Sequence, residues 1–251
     1  MAQPSENQDA GRGVAVATAP RSERARRTGL ALALFVAPWG FVVANAVYAW
    51  MTLHGGDDLT SRHALALAGT HPFAYRLGGL AAMVGSLLMV PAVLGAMRLV
   101  RVRAAWLGLI GGVLTIGAYI SYFAMVLQSF TTTAMAQRGG PLTDYVAVLD
   151  ATAHDPLAVW VIPLFILGNI VGTFLLGLAL LRARAVPAWA AYGVMAWSVL
   201  HVAGLVVGSE IVEVTGAVLQ GIGLAVVGLT LLHQSLPDSA ATEAPRESLR
   251  K

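Results

Sequence analysis

Six long apolar blocks are set off along the chain by short polar connections, and each block is long enough to cross a bilayer as a helix. A transmembrane helix needs about 20 largely apolar residues to cross a hydrocarbon core of about 30 Å. The pattern predicts spans at 29–50, 77–97, 104–127, 157–181, 188–207 and 211–232. Residues 1–28 and 234–251 lack this pattern and read as polar, disordered tails. The fold class expected is all-α, a single bundle of six transmembrane helices over residues 29–233 with no soluble domain.

Local punctuation refines the ends. Gly139-Gly140-Pro141 should stop a third helix that runs on through 131–137. Residues 142–152 then suit a short interfacial helix. Asp155-Pro156 reads as a helix start, with a capping acceptor before a proline at the first helical position. Pro187 and Ser209 mark the starts of the fifth and sixth spans. Pro38, Pro91 and Pro163 fall within spans and should kink them.

Charge then orients the bundle. With both tails on one side, that side collects Arg12, Arg21, Arg24, Arg26 and Arg27, then Arg98, Arg101 and Arg103. It also collects Arg182, Arg184, Arg246, Arg250 and Lys251, so thirteen of the 16 cations lie there. Only Arg62, Arg76 and Arg138 fall on the other side. The positive-inside rule selects both termini as cytoplasmic. A competing reading takes Ala44-Asn45-Ala46 as a signal-peptide cleavage site, which would leave five spans; the apolar run continuing to Trp50 opposes it.

Composition narrows the class further. The chain is 57% hydrophobic and 12% charged, with a mean hydropathy of +0.71, whereas soluble domains carry about 25% charged residues. Cysteine is absent, which excludes disulfides and thiolate chemistry. The basic pI marks topology here, not nucleic-acid binding. The near-exclusive use of arginine, with abundant Ala, Gly and Val, suggests a GC-rich bacterial gene.

Chemistry is sparse. Polar groups inside a membrane are the best pointers to function, because an ionisable side chain near its centre costs about 2.5–3.5 kcal/mol or more. Asn169 and Gln220 fall close to mid-membrane. At 1.5 Å per residue, His201 lies about 5 Å and Glu213 about 10 Å towards the outside. Asn45 and Tyr119 also fall in the outer half. These six are the candidate ligand-binding residues, with His201 as a titratable centre and Glu213 its partner. The turn at Gly208-Ser209 is too short to separate the last two spans, and it sets Glu213 opposite Gly204. The alternative is that Asn169 and Gln220 only glue helices together, at about 0.6 kcal/mol per hydrogen bond.

Other chemistry finds no pattern. His201 and His233 differ in depth by most of the membrane, which excludes a bis-histidine haem. The outer histidines His54, His63, His71 and His154, with Asp57, Asp58 and Asp155, have metal-ligand chemistry but no recognised spacing. No nucleophile elbow, phosphate loop or dinucleotide fingerprint occurs. No catalytic residue, metal or cofactor is therefore expected. The small-residue pairs Gly108/Gly112, Gly168/Gly172 and Gly204/Gly208 read as helix-packing faces, which would serve the bundle itself, a homo-oligomer or another membrane protein. The lipid bilayer is the one certain partner, and nucleic acid is not expected. A duplicated hairpin, with Val84-Gly85-Ser86 matching Val171-Gly172-Thr173, is better explained by arginines at turns and tryptophans at interfaces.

Phe73-Ala74-Tyr75-Arg76-Leu77-Gly78, the arginines from Arg98 to Arg103, and Val186-Pro187-Ala188-Trp189 together resemble a broad class of uncharacterised six-helix bacterial integral membrane proteins. The resemblance implies six helices and no assigned activity, so no residue role follows from it. The function expected is a non-enzymatic packing, assembly or sensing protein; the alternative is a small-solute or proton-linked transporter, and an outer-face metal-dependent enzyme ranks below both.

Overall fold

The computed structural model describes residues 21–54, 56–156 and 158–233, and all regular structure among them is helical. Six long helices form the body: α1 (Arg21–Leu53), α3 (Pro72–Val100), α4 (Ala105–Arg138), α6 (Val161–Ala183), α7 (Ala188–Val207) and α8 (Glu210–His233). Two short ones, α2 (Ser61–Thr70) and α5 (Leu142–Ala153), lie in the connections. Each long helix has the length and apolarity to cross a membrane. Large apolar side chains such as Leu87, Val113, Ile120 and Val199 point out of the bundle and are more than half exposed. A soluble protein would not present so continuous an apolar surface, so the chain is a multi-pass membrane protein.

The long helices close into a ring in chain order. Helix α1 packs on α3, α3 on α4, α4 on α6, α6 on α7 and α7 on α8, and α8 returns to pack on α1. Cross-ring contacts of α3 with α6 and α8 fill the middle, where Leu34, Met89, Val93, Leu176, Leu180, Val194, Leu224 and Val227 are almost wholly buried. One end of the ring carries the acidic connections and the two short helices; the other carries the arginine-rich turns. At the arginine end Glu23 approaches Arg26 at 2.5 Å and Arg98 at 3.7 Å, which joins α1 to α3.

Backbones approach where glycine removes the side chain. A Cβ on Gly111 would come 2.7 Å from the Leu176 nitrogen, and one on Gly172 would come 2.8 Å from that of Thr115. A Cβ on Gly40 would come 2.8 Å from Gly85 Cα. Contacts this close allow α4 to lie backbone-on-backbone against α6, and α1 against α3. Of the pairs singled out by spacing, Gly168 and Gly172 pack on α4, whereas Gly108 and Gly112 pack on the side chains of Val100 and Met97. Gly208 does not pack at all. Its φ of 65° ends α7 in the left-handed region, with nothing within 4 Å, so its role is the turn.

Several boundaries differ from the expected ones. Helix α1 begins at Arg21, so residues 21–28 are not part of a disordered tail; 1–20 and 234–251 lie outside the described residues. Asp155-Pro156 does not start α6. Ala158 and Val159 donate backbone hydrogen bonds to the Asp155 carbonyl in a run of turns, and the helix begins at Val161. Pro163 therefore occupies the first helical turn, where its missing N–H costs nothing, and it does not interrupt the helix. Pro38 and Pro91 do sit inside α1 and α3. Gly139, at φ 67°, ends α4 as its glycine run suggested, and α5 follows. Helix α2 is an addition: Thr60 caps it by accepting a hydrogen bond from the His63 N–H at 3.2 Å.

Candidate functional site

The buried face of α8 carries Glu213, Gly216, Gln220 and Gly223, spaced three and four apart as a helix requires for one stripe. Glu213 opens that stripe in the first turn, only 5% exposed. The tight turn at Gly208 folds α8 back along α7, and Gly204 faces the Glu213 Cγ in contact. Glycine at 204 thus makes the room that the carboxylate occupies, as the sequence register indicated.

His201, one turn deeper on α7, meets the same carboxylate. Its Nδ1 lies 2.8 Å from Glu213 Oε2. The oxygen is out of line with the ring nitrogen, so the contact is a close approach without an aligned hydrogen bond, and it becomes an ion pair only when the imidazole is protonated. The imidazole also stacks on the Trp197 indole, with ring centroids 4.7 Å apart and an interplanar angle of 22°. Trp197 then donates from Nε1 to Asn169 Oδ1 at 3.1 Å, a buried bond between α7 and α6. Glu213, His201, Trp197 and Asn169 therefore form one continuous chain of contacts across three helices.

Asn169 does not sit on regular α-helix. Gly168–Gly172 form a π-helical turn within α6, a local widening that frequently marks functional positions. Ser198, beside Trp197, donates its Oγ hydrogen to the Ile170 carbonyl in that turn at 2.8 Å. Consecutive residues of α7 thus hold consecutive residues of the turn.

The other candidates form a second, adjoining group. Tyr119 of α4 and Gln220 of α8 are both buried and within hydrogen-bonding reach of one another, while the Gln220 Nε2 has no aligned partner. The Tyr119 ring packs against Phe41 at 4.8 Å, and Tyr122 stacks on Phe165 at 4.6 Å. Asn45 is not part of either group, because its Nδ2 donates to the Phe41 carbonyl of its own helix at 2.8 Å. Of the six residues expected to share a site, three are joined through Trp197, two pair beside them, and Asn45 stands apart.

Sequence reasoning missed Trp197, Ser198 and Glu210. Trp197 and Ser198 sit four and three residues before His201, hence on its face of the helix, which was the available signal. Glu210 starts α8 and lies within electrostatic reach of Glu213, His201 and Asp58. Asp58 accepts a hydrogen bond from the Tyr48 hydroxyl at 2.5 Å. Carboxylates therefore lead from the acidic end of the ring down to the His201–Glu213 pair.

The same end holds a cavity of about 230 Å³ lined by His54, Asp57, His63 and His71, among others. His63 Nδ1 contacts Asp57 Oδ1 at 2.7 Å and His54 Nδ1 contacts the Trp50 carbonyl at 2.7 Å. The hydrogen bond from His63 and one from the Leu59 N–H hold the Asp57 carboxyl below its ordinary 3.8. Among the described residues no three His, Asp or Glu side chains are placed to share a metal ion. No protein-family model, curated protein or solved structure matches the chain.

Proposed function

We propose that the protein is a non-enzymatic proton sensor of the bacterial cytoplasmic membrane, with both termini in the cytoplasm and the acidic end of the ring outside. The observation that carries this reading is the 2.8 Å contact of His201 with the buried Glu213 carboxylate. An unneutralised carboxylate at this depth is costly, and ionisable residues within spans are retained where they carry function. Histidine is the side chain whose ordinary charge change falls between about pH 5 and 8, and the Glu213 carboxylate beside it gives a gained proton a partner. Glu210 and Asp58 supply acceptors between the pair and the outer surface. The arginine distribution supports the orientation.

A proton-linked small-solute carrier is the second reading. It is favoured by Gln220, whose buried Nε2 is unpartnered, and by Tyr119, which together carry polar groups two turns further into the bundle. In either reading the bilayer is the immediate partner, and contacts with a second copy or another membrane protein use the remaining small-residue surface.

Trp197 fluorescence tests the proposal. With the other five of the six tryptophans replaced by phenylalanine, reconstituted protein is titrated from pH 4.5 to 9. An imidazolium stacked on the indole quenches it, so intensity should fall on acidification and stay flat in His201→Gln. Glu213→Gln should move the midpoint. A wild-type signal independent of pH would leave only a packing role for these residues.

A further inference from the structure

We propose that the π turn Gly168–Gly172 is the moving part of the His201–Glu213 site, and that Trp197 is the positioning residue that couples charge on the pair to the register of α6. The inference rests on the proton-responsive reading above and adds what responds.

The coupling follows from which bonds hold the turn. A π turn accommodates one more residue than an α turn and is rare, found mostly as a single turn within an α-helix, so it persists where outside partners favour it. Two such partners are present, both from α7: Trp197 Nε1 on Asn169 Oδ1 and Ser198 Oγ on the Ile170 carbonyl. The indole that makes the first bond has its face against the His201 ring. A cation over an indole face is attracted to it, whereas a neutral imidazole is not attracted in this way. Gaining a proton at His201 therefore changes the force on the group that holds Asn169.

The surroundings permit movement. Gly168 and Gly172 lie against Leu114, Thr115 and Ala118 of α4 and bring no side chains of their own to lock the turn in place. The Thr173 Oγ1 that follows the turn is buried without an aligned partner. The charged and titratable groups that face the imidazole are identifiable. Glu213 and Glu210 come from α8, and Asp58 lies within reach of Glu210. Tyr122 of α4 lies within reach of Glu213. Within α6 the only charged residue is Arg182, at the opposite end. Charge at His201 is thus set from α8, while its effect is carried to α6.

The test uses the absence of native cysteine. Spin labels at Ile166→Cys, before the turn, and Val199→Cys, on α7, sit at positions that are about half exposed. Their separation is measured in liposomes from pH 4.5 to 9, while the His201 imidazole is followed in the same samples by nitrogen NMR, its signal identified by loss in His201→Gln. Acidification should shift the distance by at least about 1.5 Å, the rise of one helical residue, with the midpoint of the His201 titration. Trp197→Phe retains a ring beside His201 but has no N–H for Asn169, so it should abolish the shift while His201 still titrates. A distance that ignores pH while His201 titrates, or a shift that survives Trp197→Phe, overturns the coupling and leaves the proton site standing. An imidazole that never titrates overturns both.

Discussion

Gly204 shows how one missing side chain sets the site. Its hydrogen lies where a Cβ would meet the Glu213 Cγ, so any larger residue must displace the carboxylate from His201. Gly204→Leu should destabilise the protein by about 1–3 kcal/mol, the usual cost of over-packing, measured as thermal unfolding in detergent. It should also flatten the Trp197 pH response. Leucine at Gly29, which has nothing within 4 Å, should be neutral. At the acidic end of the ring, the His63 contact lowers the Asp57 pKa. Because the folded-state pKa is depressed, the associated stabilisation is present above the ordinary 3.8 and is lost as pH falls through the lowered value. Carbon NMR of the Asp57 carboxyl should show a midpoint below 3.8, which His63→Ala moves upwards. These pairings differ in how far they could be read from the sequence. Glu213 opposite Gly204 was legible because a two-residue turn fixes the register of two antiparallel helices. The Trp197–Asn169 bond was not, since it joins helices whose rotation depends on packing throughout the ring.

At the scale of elements, glycine decides which helices approach most closely. Gly111→Leu and Gly172→Leu should each lower stability by about 1–3 kcal/mol or more, because the new side chain meets backbone rather than a side chain that can turn aside. Gly117→Leu is the control, since its nearest neighbour is the far end of the Leu164 side chain at 3.8 Å. Equal unfolding temperatures for all three would show that α4 and α6 are not in backbone contact. The six spans were legible because apolar length alone defines them. Helix α2 and the late start of α6 were not. Both lie at the bundle end, where polar residues suit turns and short helices equally. The π turn left no sequence mark either. Gly-Asn-Ile-Val-Gly is compatible with ordinary α-helix, and the bonds that stabilise the turn come from α7.

For the whole molecule, the ring gives the first helix a structural role that a cleaved leader would lack. Helix α1 packs along both α3 and α8, so losing residues 1–46 would strip both neighbours of most of their partner. Intact mass of the membrane form should therefore retain that segment. Reporter fusions after Met135 and after Arg184 should report outside and inside respectively, as the arginine distribution requires; the same side for both would contradict six spans.

Closure of that ring also imposes an order on biogenesis. Helices emerge from the ribosome in sequence, and each of the first five meets a neighbour as soon as the next one enters the bilayer. The face that α1 reserves for α8 stays uncovered until that helix has been made, and Gly228, which rests against Ala31, Leu34 and Phe35, arrives only in its last turns. Helix α8 thus closes the ring: a chain truncated after α7 should present an open seam to lipid and to quality-control proteases, and so should be degraded faster than the full chain.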